Sequence, residues 1–291
     1  MKIAVYGQAC QEQSLAYVLA LMEELDQGDS LAIESDFYDF LGGADCLGEL
    51  PCFTLTEGLD ASFDMFVSFG GDGTILRAVT FVRDLGIPVV GVNTGRLGFL
   101  STFKKEEVRE VIKEFRAGDY RLEPRALIQV VGPEAELFLP TNFALNEITV
   151  SRKDTTSMIT VETHLNDEYL TSYWADGLII STPTGSTGYS LSCGGPVMSP
   201  MAGSLVITPI APHNLNARPL VVSDDTVIRL KVSGREDHHL VSLDSRLATV
   251  ANGTEIRIQK APFTVPFIQY KRESFYKTLR HKLLWGEDVR N

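Results

Sequence analysis

No segment constrains the fold of this chain more than Met65-Phe66-Val67-Ser68-Phe69 running straight into Gly70-Gly71-Asp72-Gly73-Thr74. A short apolar run closed by glycines reads as a buried strand. Past the glycines, Ile75, Leu76, Val79 and Val82 fall along one side of a helix, and residues 87–92 make a further strand. Such a strand–loop–helix–strand unit is the usual source of a parallel sheet. The flanking sequence continues the alternation. Residues 2–6 are a short apolar strand, and Leu15, Val18, Leu19, Met22 and Leu25 predict a helix over 12–26. Val108, Val111, Ile112 and Phe115 predict another that ends near Gly118. Residues 28–60 hold the breakers Gly42-Gly43 and Pro51 with weak periodicity, and their structure stays ambiguous.

Beyond Tyr120 the pattern changes to short strands, at 127–131, 143–150, 158–165, 178–181, 205–208, 227–232, 255–258 and 265–270. The dipeptides Asn166-Asp167, Ser233-Gly234 and Asn252-Gly253 between them suit antiparallel hairpins. His238-His239, next to Asp237, reads as a loop. With 291 residues, two domains are favoured over one. The expected fold class is α/β: a Rossmann-like N-terminal domain over 1–120, then a mainly antiparallel β-sandwich over 121–270, with the boundary near 118–124. A basic helix over 274–285, carrying Lys277, Arg280, His281 and Lys282, is expected to return residues 271–291 to the first domain.

The glycines around Asp72 allow backbone approach that a Cβ would block, and their N–H groups ahead of a helix make an anion site. The P-loop pattern is absent, and Leu76 stands where a dinucleotide fingerprint needs its third glycine. A simpler role for Asp72 is to cap the helix that begins near Thr74. The segment 176–196 opens from a buried strand at Asp176-Gly177 into a long stretch of Ser, Thr and Gly. Hydroxyls and bare backbone suit a polar, uncharged ligand such as a ribose or a nucleobase. Asn146-Glu147 closes a strand and could hold a diol or an adenine amino group, although the pair alone also fits an exposed strand end.

Other chemistries find little support. Cys10, Cys46, Cys52 and Cys193 show no CxxC spacing, which argues against a zinc site or a disulfide framework and suits a reducing cytoplasm. Cys193 has no basic neighbour and fits a buried filler, and no GxSxG elbow is present. Residues 1–72 hold 14 acids and one base, Lys2, whereas the whole chain carries −12. That acidic face repels nucleic acid and acidic headgroups, and no run is long enough to span a membrane.

Taken together, Gly70-Gly71-Asp72-Gly73-Thr74, Asn93-Thr94-Gly95-Arg96-Leu97-Gly98-Phe99-Leu100, Asn146-Glu147 and the 176–196 run resemble the ordered motifs of the NAD kinases. The glycine loop alone is shared with diacylglycerol and sphingoid lipid kinases and, in related form, with phosphofructokinases. The 176–196 run is the more specific feature. The resemblance spans most of the chain, densest over 65–220 and thinnest over 28–60. It implies an ATP-dependent phosphorylation of NAD to NADP in the cytoplasm by a homodimer or homotetramer, with a divalent cation such as Mg²⁺ arriving on the ATP. It further implies that Asp72 accepts the proton of the 2′-hydroxyl of the adenosine ribose. Gly71, Gly73 and Arg77 would lie beside the bound dinucleotide, and Asn146 and Glu147 against its adenosine half. Asp176 matches the acid of the family's Asp-Gly-Leu motif. Thr187, Gly188, Tyr189, Ser190, Leu191 and Ser192 match the loop around the nicotinamide riboside or adenine portions. Two positions depart from relatives: Gly188 stands where many bacterial members have Ala, and Trp174 where some carry Arg. A lipid kinase would want an apolar cleft, which the polar 181–195 stretch argues against. A non-catalytic NAD(P)-sensing protein would have no need of Asp72.

Overall fold

The computed structural model describes residues 1–8, 14–95, 98–154, 157–271 and 273–286. The chain divides into two compact units, one of Met1–Pro124 with Val265–Asn291, the other of Arg125–Thr264.

The first unit runs β1 (Lys2–Gly7), α1 (Ser14–Met22), β2 (Ser30–Glu34), α2 (Ser35–Phe40), α3 (Gly43–Leu47), β3 (Cys52–Phe53), β4 (Met65–Phe69), α4 (Asp72–Val82), β5 (Val89–Asn93), β6 (Phe103–Lys104) and α5 (Val108–Ala117). Its sheet is parallel in the order β5-β4-β1-β2-β3, with β6 beside β5. β4 is buried along its whole length, which its apolar run requires in a sheet covered on both faces. The chain lays β2 and β3 on one side of β1, then returns to place β4 on the other. That reversal sets Gly7 opposite Phe69. Open α/β sheets take ligands outside such a switch point, and the glycine loop leaves β4 there.

The ambiguous stretch 28–60 contains β2, α2, α3 and β3. Glu34 starts α2 by accepting the Phe37 N–H at 2.9 Å, a capping task usually given to Ser, Thr, Asp or Asn. The helix expected over 12–26 is observed as α1; residues 12 and 13 lie outside the described residues, as do Cys10, Arg96 and Leu97.

β7 (Tyr120–Val131) carries the chain into the second unit. There follow β8 (Phe143–Ala144), β9 (Glu147–Arg152), β10 (Ile159–Leu165), β11 (Glu168–Ala175), β12 (Gly177–Ser181), α6 (Tyr189–Ser192), β13 (Ser204–Ile210), β14 (Leu220–Ser223), β15 (Ile228–Ser233), β16 (His238–Leu243), β17 (Arg246–Ala251) and β18 (Glu255–Tyr270). One antiparallel sheet orders β14-β13-β12-β9-β16-β17, and the other joins β11, β10, β15 and the first residues of β18. Ile148, Val150, Leu178, Ile180 and Val241 of one sheet and Val161, Leu230 and Ile256 of the other share one buried core, as in a sandwich.

Four details differ from expectation. The strand over 143–150 breaks at Leu145-Asn146. Asn166-Asp167 is a hairpin turn with both φ positive, 49° and 70°, but Ser233-Gly234 and Asn252-Gly253 connect strands of different sheets. His238-His239 opens β16, and His239 is fully buried with Nδ1 3.0 Å from Asn252 Oδ1. β18 is one strand of 16 residues rather than two, and Phe267 near its end pairs in parallel with Val89 of β5. The chain thus re-enters the first unit at Val265, inside a strand, ahead of α7 (Phe275–Leu283). Ser274 caps α7 by accepting the Lys277 N–H at 3.2 Å, and Leu279 is buried.

Candidate active site

In the first unit the glycine loop and the 98–101 segment form one assembly. α4 begins at Asp72 itself, and no side chain caps it. Asp72 instead turns its carboxylate toward the backbone that follows β5. Oδ2 accepts the Phe99 N–H at 2.8 Å, and Oδ1 accepts those of Leu100 and Ser101 at 3.0 and 2.9 Å. A Cβ on Gly98 would fall 1.8 Å from Oδ1, so only glycine lets the carboxylate seat. Ser101 Oγ donates back to the Gly70 carbonyl at 2.8 Å. Gly70, at φ +152°, lies so close to Thr74 that a Cβ would sit 2.2 Å from its Oγ1. Gly71 and Gly73 face open space, leaving the start of α4 approachable. The helix-cap role considered for Asp72 is therefore replaced by a tie across 27 to 29 residues. Arg77 is exposed one turn along α4 and lines a pocket of about 230 Å³ with Tyr6, Gly7, Glu34 and Asp36.

In the second unit the break at Leu145-Asn146 is the feature that builds a site. Asp244, in the turn between β16 and β17, accepts the N–H groups of Leu145, Asn146 and Glu147 at 3.0, 2.8 and 3.2 Å. From the other side, Thr182 Oγ1 donates to the Leu145 carbonyl at 2.6 Å and Thr182 N–H to that of Asn146 at 2.9 Å. So held, the break points Asn146 Oδ1 and Glu147 Oε2 into buried positions where neither has a hydrogen-bond partner, and Thr184 Oγ1 shares that condition. Burial, with the Asp244 charge second, pushes the Glu147 carboxyl up to about 8. A Cβ on Gly188 would stand 3.3 Å from Glu147 Oε2 and 3.6 Å from Asn146 Nδ2. Buried polar atoms are normally paired, so a cluster of unpaired ones marks a place for a polar ligand.

The 176–196 run lies against this region through Thr182, Gly185 and Gly188. β12 is wholly buried. Asp176 at its head pairs with Arg152 at 3.1 Å, a partner the sequence did not suggest. Tyr189 and Ser192 are exposed on α6, while Thr187, Gly188 and Leu191 are half-buried. Ser190 is fully buried, and its hydroxyl lies 2.8 Å from Thr208 Oγ1. Trp174 is half exposed on β11, its ring 4.3 Å from that of His213, at the edge of a pocket of about 340 Å³ that includes Asn214 and Arg218. It is not part of the sandwich core. Asp244 also escaped sequence reading, because an Asp-Ser pair in a turn carries no chemical signature. Among the described residues no three His, Cys, Asp or Glu side chains cluster as metal ligands.

Residues 53–120 match the family described as the ATP-NAD kinase N-terminal domain, and 145–270 match the ATP-NAD kinase C-terminal domain. The chain is 55% identical to the NAD kinase of Christiangramia forsetii and 54% identical to that of Flavobacterium psychrophilum, in both cases over the whole of both chains. It is 42% identical to the NAD kinase of Porphyromonas gingivalis over 99% of each chain. Among solved structures, that of an Archaeoglobus fulgidus NAD kinase in complex with ATP is similar with a TM-score of 0.74 and 27% identity, over 98% of this chain and 99% of that one. Yeast NADH kinase complexed with NADH gives a TM-score of 0.84 over 100% of this chain and 89% of that one; at 22% identity it attests the fold alone.

Proposed function

Because this chain belongs to the NAD kinase family, we propose that it transfers the γ-phosphoryl group of ATP to the 2′-hydroxyl of the adenosine ribose of NAD, with Asp72 as proton acceptor. It is a phosphotransferase. The observation that carries the assignment of residues is the pair of buried, unpartnered oxygens, Asn146 Oδ1 and Glu147 Oε2, a polar site that neutral adenosine can complete. A ribose hydroxyl is a poor nucleophile at neutral pH and needs a base within hydrogen-bond reach. Asp72 Oδ2 accepts one backbone N–H and keeps a lone pair for that proton. As the hydroxyl oxygen bonds to the γ-phosphorus, the bond to the bridging β–γ oxygen breaks and ADP leaves. The transition state is loose, so positioning and charge neutralisation dominate. The open backbone at Gly71 and Gly73 and the cation of Arg77 supply both.

The divalent cation belongs to the substrate in this scheme: it comes on the phosphates of ATP and offsets their charge. Asp176, Thr187, Gly188, Tyr189, Ser190, Leu191 and Ser192 are assigned to the dinucleotide. Exposed Val221 and Leu247, on the two edge strands of the six-stranded sheet, support a homodimer or homotetramer. A cytoplasmic location accords with three free cysteines among the described residues, none of whose helices is long and apolar enough to cross a membrane. Incubation of the purified protein with ATP, Mg²⁺ and NAD should yield NADP. No NADP under varied donors and metals sinks the proposal.

A further inference from the structure

We propose that Asp244 is the positioning residue of this site: by accepting three successive N–H groups it holds the break that aims Asn146 and Glu147 at adenosine, with Glu147 acting as a hydrogen-bond donor. The inference deepens the function proposed above and rests on its assignment of that pair.

The geometry leaves Asp244 little other work. Its side chain is only 4% exposed, and the three N–H groups it accepts belong to the break and the first residue of β9. β8 pairs with β7 in one sheet and β9 with β12 and β16 in the other, so Leu145-Asn146 carries the chain between sheets, and Asp244 fixes the backbone at that crossing. Arg246 braces the turn, donating to the carbonyls of Phe143, Thr141 and Leu243, and its Nη2 lies 3.9 Å from Asp244 Oδ2. The titratable groups that act on or sense Glu147 are Asp244 from this turn, itself beside Arg246, and Tyr189 from α6; Tyr189 in turn senses Cys193 and Asp176. Among the described residues no cation pairs with Glu147, so near neutrality it keeps its proton and offers an O–H to a purine nitrogen or ribose oxygen, beside the acceptor Asn146 Oδ1.

The test compares wild type, Glu147→Gln and Asp244→Ser by calorimetric NAD affinity and by kcat across neutral to alkaline pH. Wild-type affinity should fall as pH climbs through about 8, where Glu147 loses its donor. The Glu147→Gln amide donates at every pH, so its affinity should stay level over the same range. Asp244→Ser should weaken NAD binding by about tenfold or more, keep kcat within about twofold once NAD saturates, and move the wild-type pH limb toward lower pH as the repelling charge disappears. Coincident profiles for wild type and Glu147→Gln, or an Asp244→Ser variant that binds like wild type, would overturn the proposal. Should Asp244→Ser not fold, amide exchange in the wild type decides: slow exchange at Leu145, Asn146 and Glu147 supports it, and fast exchange refutes it. Binding is read without turnover. If NADP never forms but the affinities follow this pattern, the catalytic function fails and the positioning role stands.

Discussion

Two aspartates in this chain hold the same arrangement and gain different capacities from it. Asp72 gathers the N–H groups of Phe99, Leu100 and Ser101, and Asp244 those of Leu145, Asn146 and Glu147. Each carboxylate pins three successive residues remote in sequence. Asp72 sits at the head of a helix beside open glycines, whereas the Asp244 side chain is only 4% exposed in a turn of the second unit. Three donors fix a carboxylate in either place, and exposure decides what it can then meet. Asp72 holds a loop and, in the function proposed, also takes a proton from the substrate. Asp244 meets the protein's own backbone and the Arg246 guanidinium, so its effect passes through its neighbours.

The sharpest way to break this contrast is Asp72→Asn. If the exposed carboxylate is the base, turnover should fall by about 10² to 10⁴-fold while NAD still binds. The amide would also face an N–H with its own donor, so the melting temperature should drop somewhat. A large loss of stability at normal turnover would make Asp72 as purely structural as Asp244.

Next in size is a linkage effect from Glu147. Its carboxyl sits near 4.5 in an unfolded chain and at about 8 in the folded one. Between those values the folded state keeps a proton that the unfolded state has released, so stability should decline as pH rises from 4.5 toward 8. The loss is on the order of a few kcal/mol. Glu147→Gln should flatten that slope in denaturant titrations at successive pH values; an unchanged slope would place its cause elsewhere.

Glu147→Ala probes the ligand side of the same residue. Loss of a hydrogen bond involving this group should raise the KM for NAD by roughly 1.5–3 kcal/mol, or about 10- to 150-fold, with kcat little altered. An unchanged KM returns the pair to an ordinary strand end.

The smallest effect concerns Trp174, whose exposed ring lies against His213. An aromatic face attracts a cation by about 0.5–2 kcal/mol. If the oxidised nicotinamide ring comes within reach, the enzyme should prefer NAD to NADH modestly, and Trp174→Leu should erode that preference without abolishing phosphorylation. Equal NAD to NADH ratios in both proteins would remove Trp174 from the selection.

What the sequence discloses follows the range of the interactions. β4, the glycine loop and α4 were legible because the apolar run, the glycines and the helical spacing are contiguous. The segment 28–60 was not, since β2 offers only Leu31, Ala32 and Ile33 and α2 is capped by a glutamate. His239 was misplaced because its burial depends on the sheet around it, and the turn dipeptides at 233–234 and 252–253 could not announce a change of sheet. In the site, the candidate residues were visible as types. Their ties were not: Asp244 finds its partners 97 to 99 residues away, and no local pattern records that.

The strand β18 has a consequence for how the protein is made. The parallel sheet of the first unit takes one of its partners, Phe267 against Val89, from the last tenth of the chain. A ribosome that has released residues 1–124 has therefore not yet delivered everything that unit contains, and the 140 residues of Arg125–Thr264 emerge before the missing piece. Until then β5 lacks that partner, and an uncovered strand edge is a site for wrong pairing. The later-encoded unit can close on itself as it emerges. The earlier one must wait for synthesis to finish.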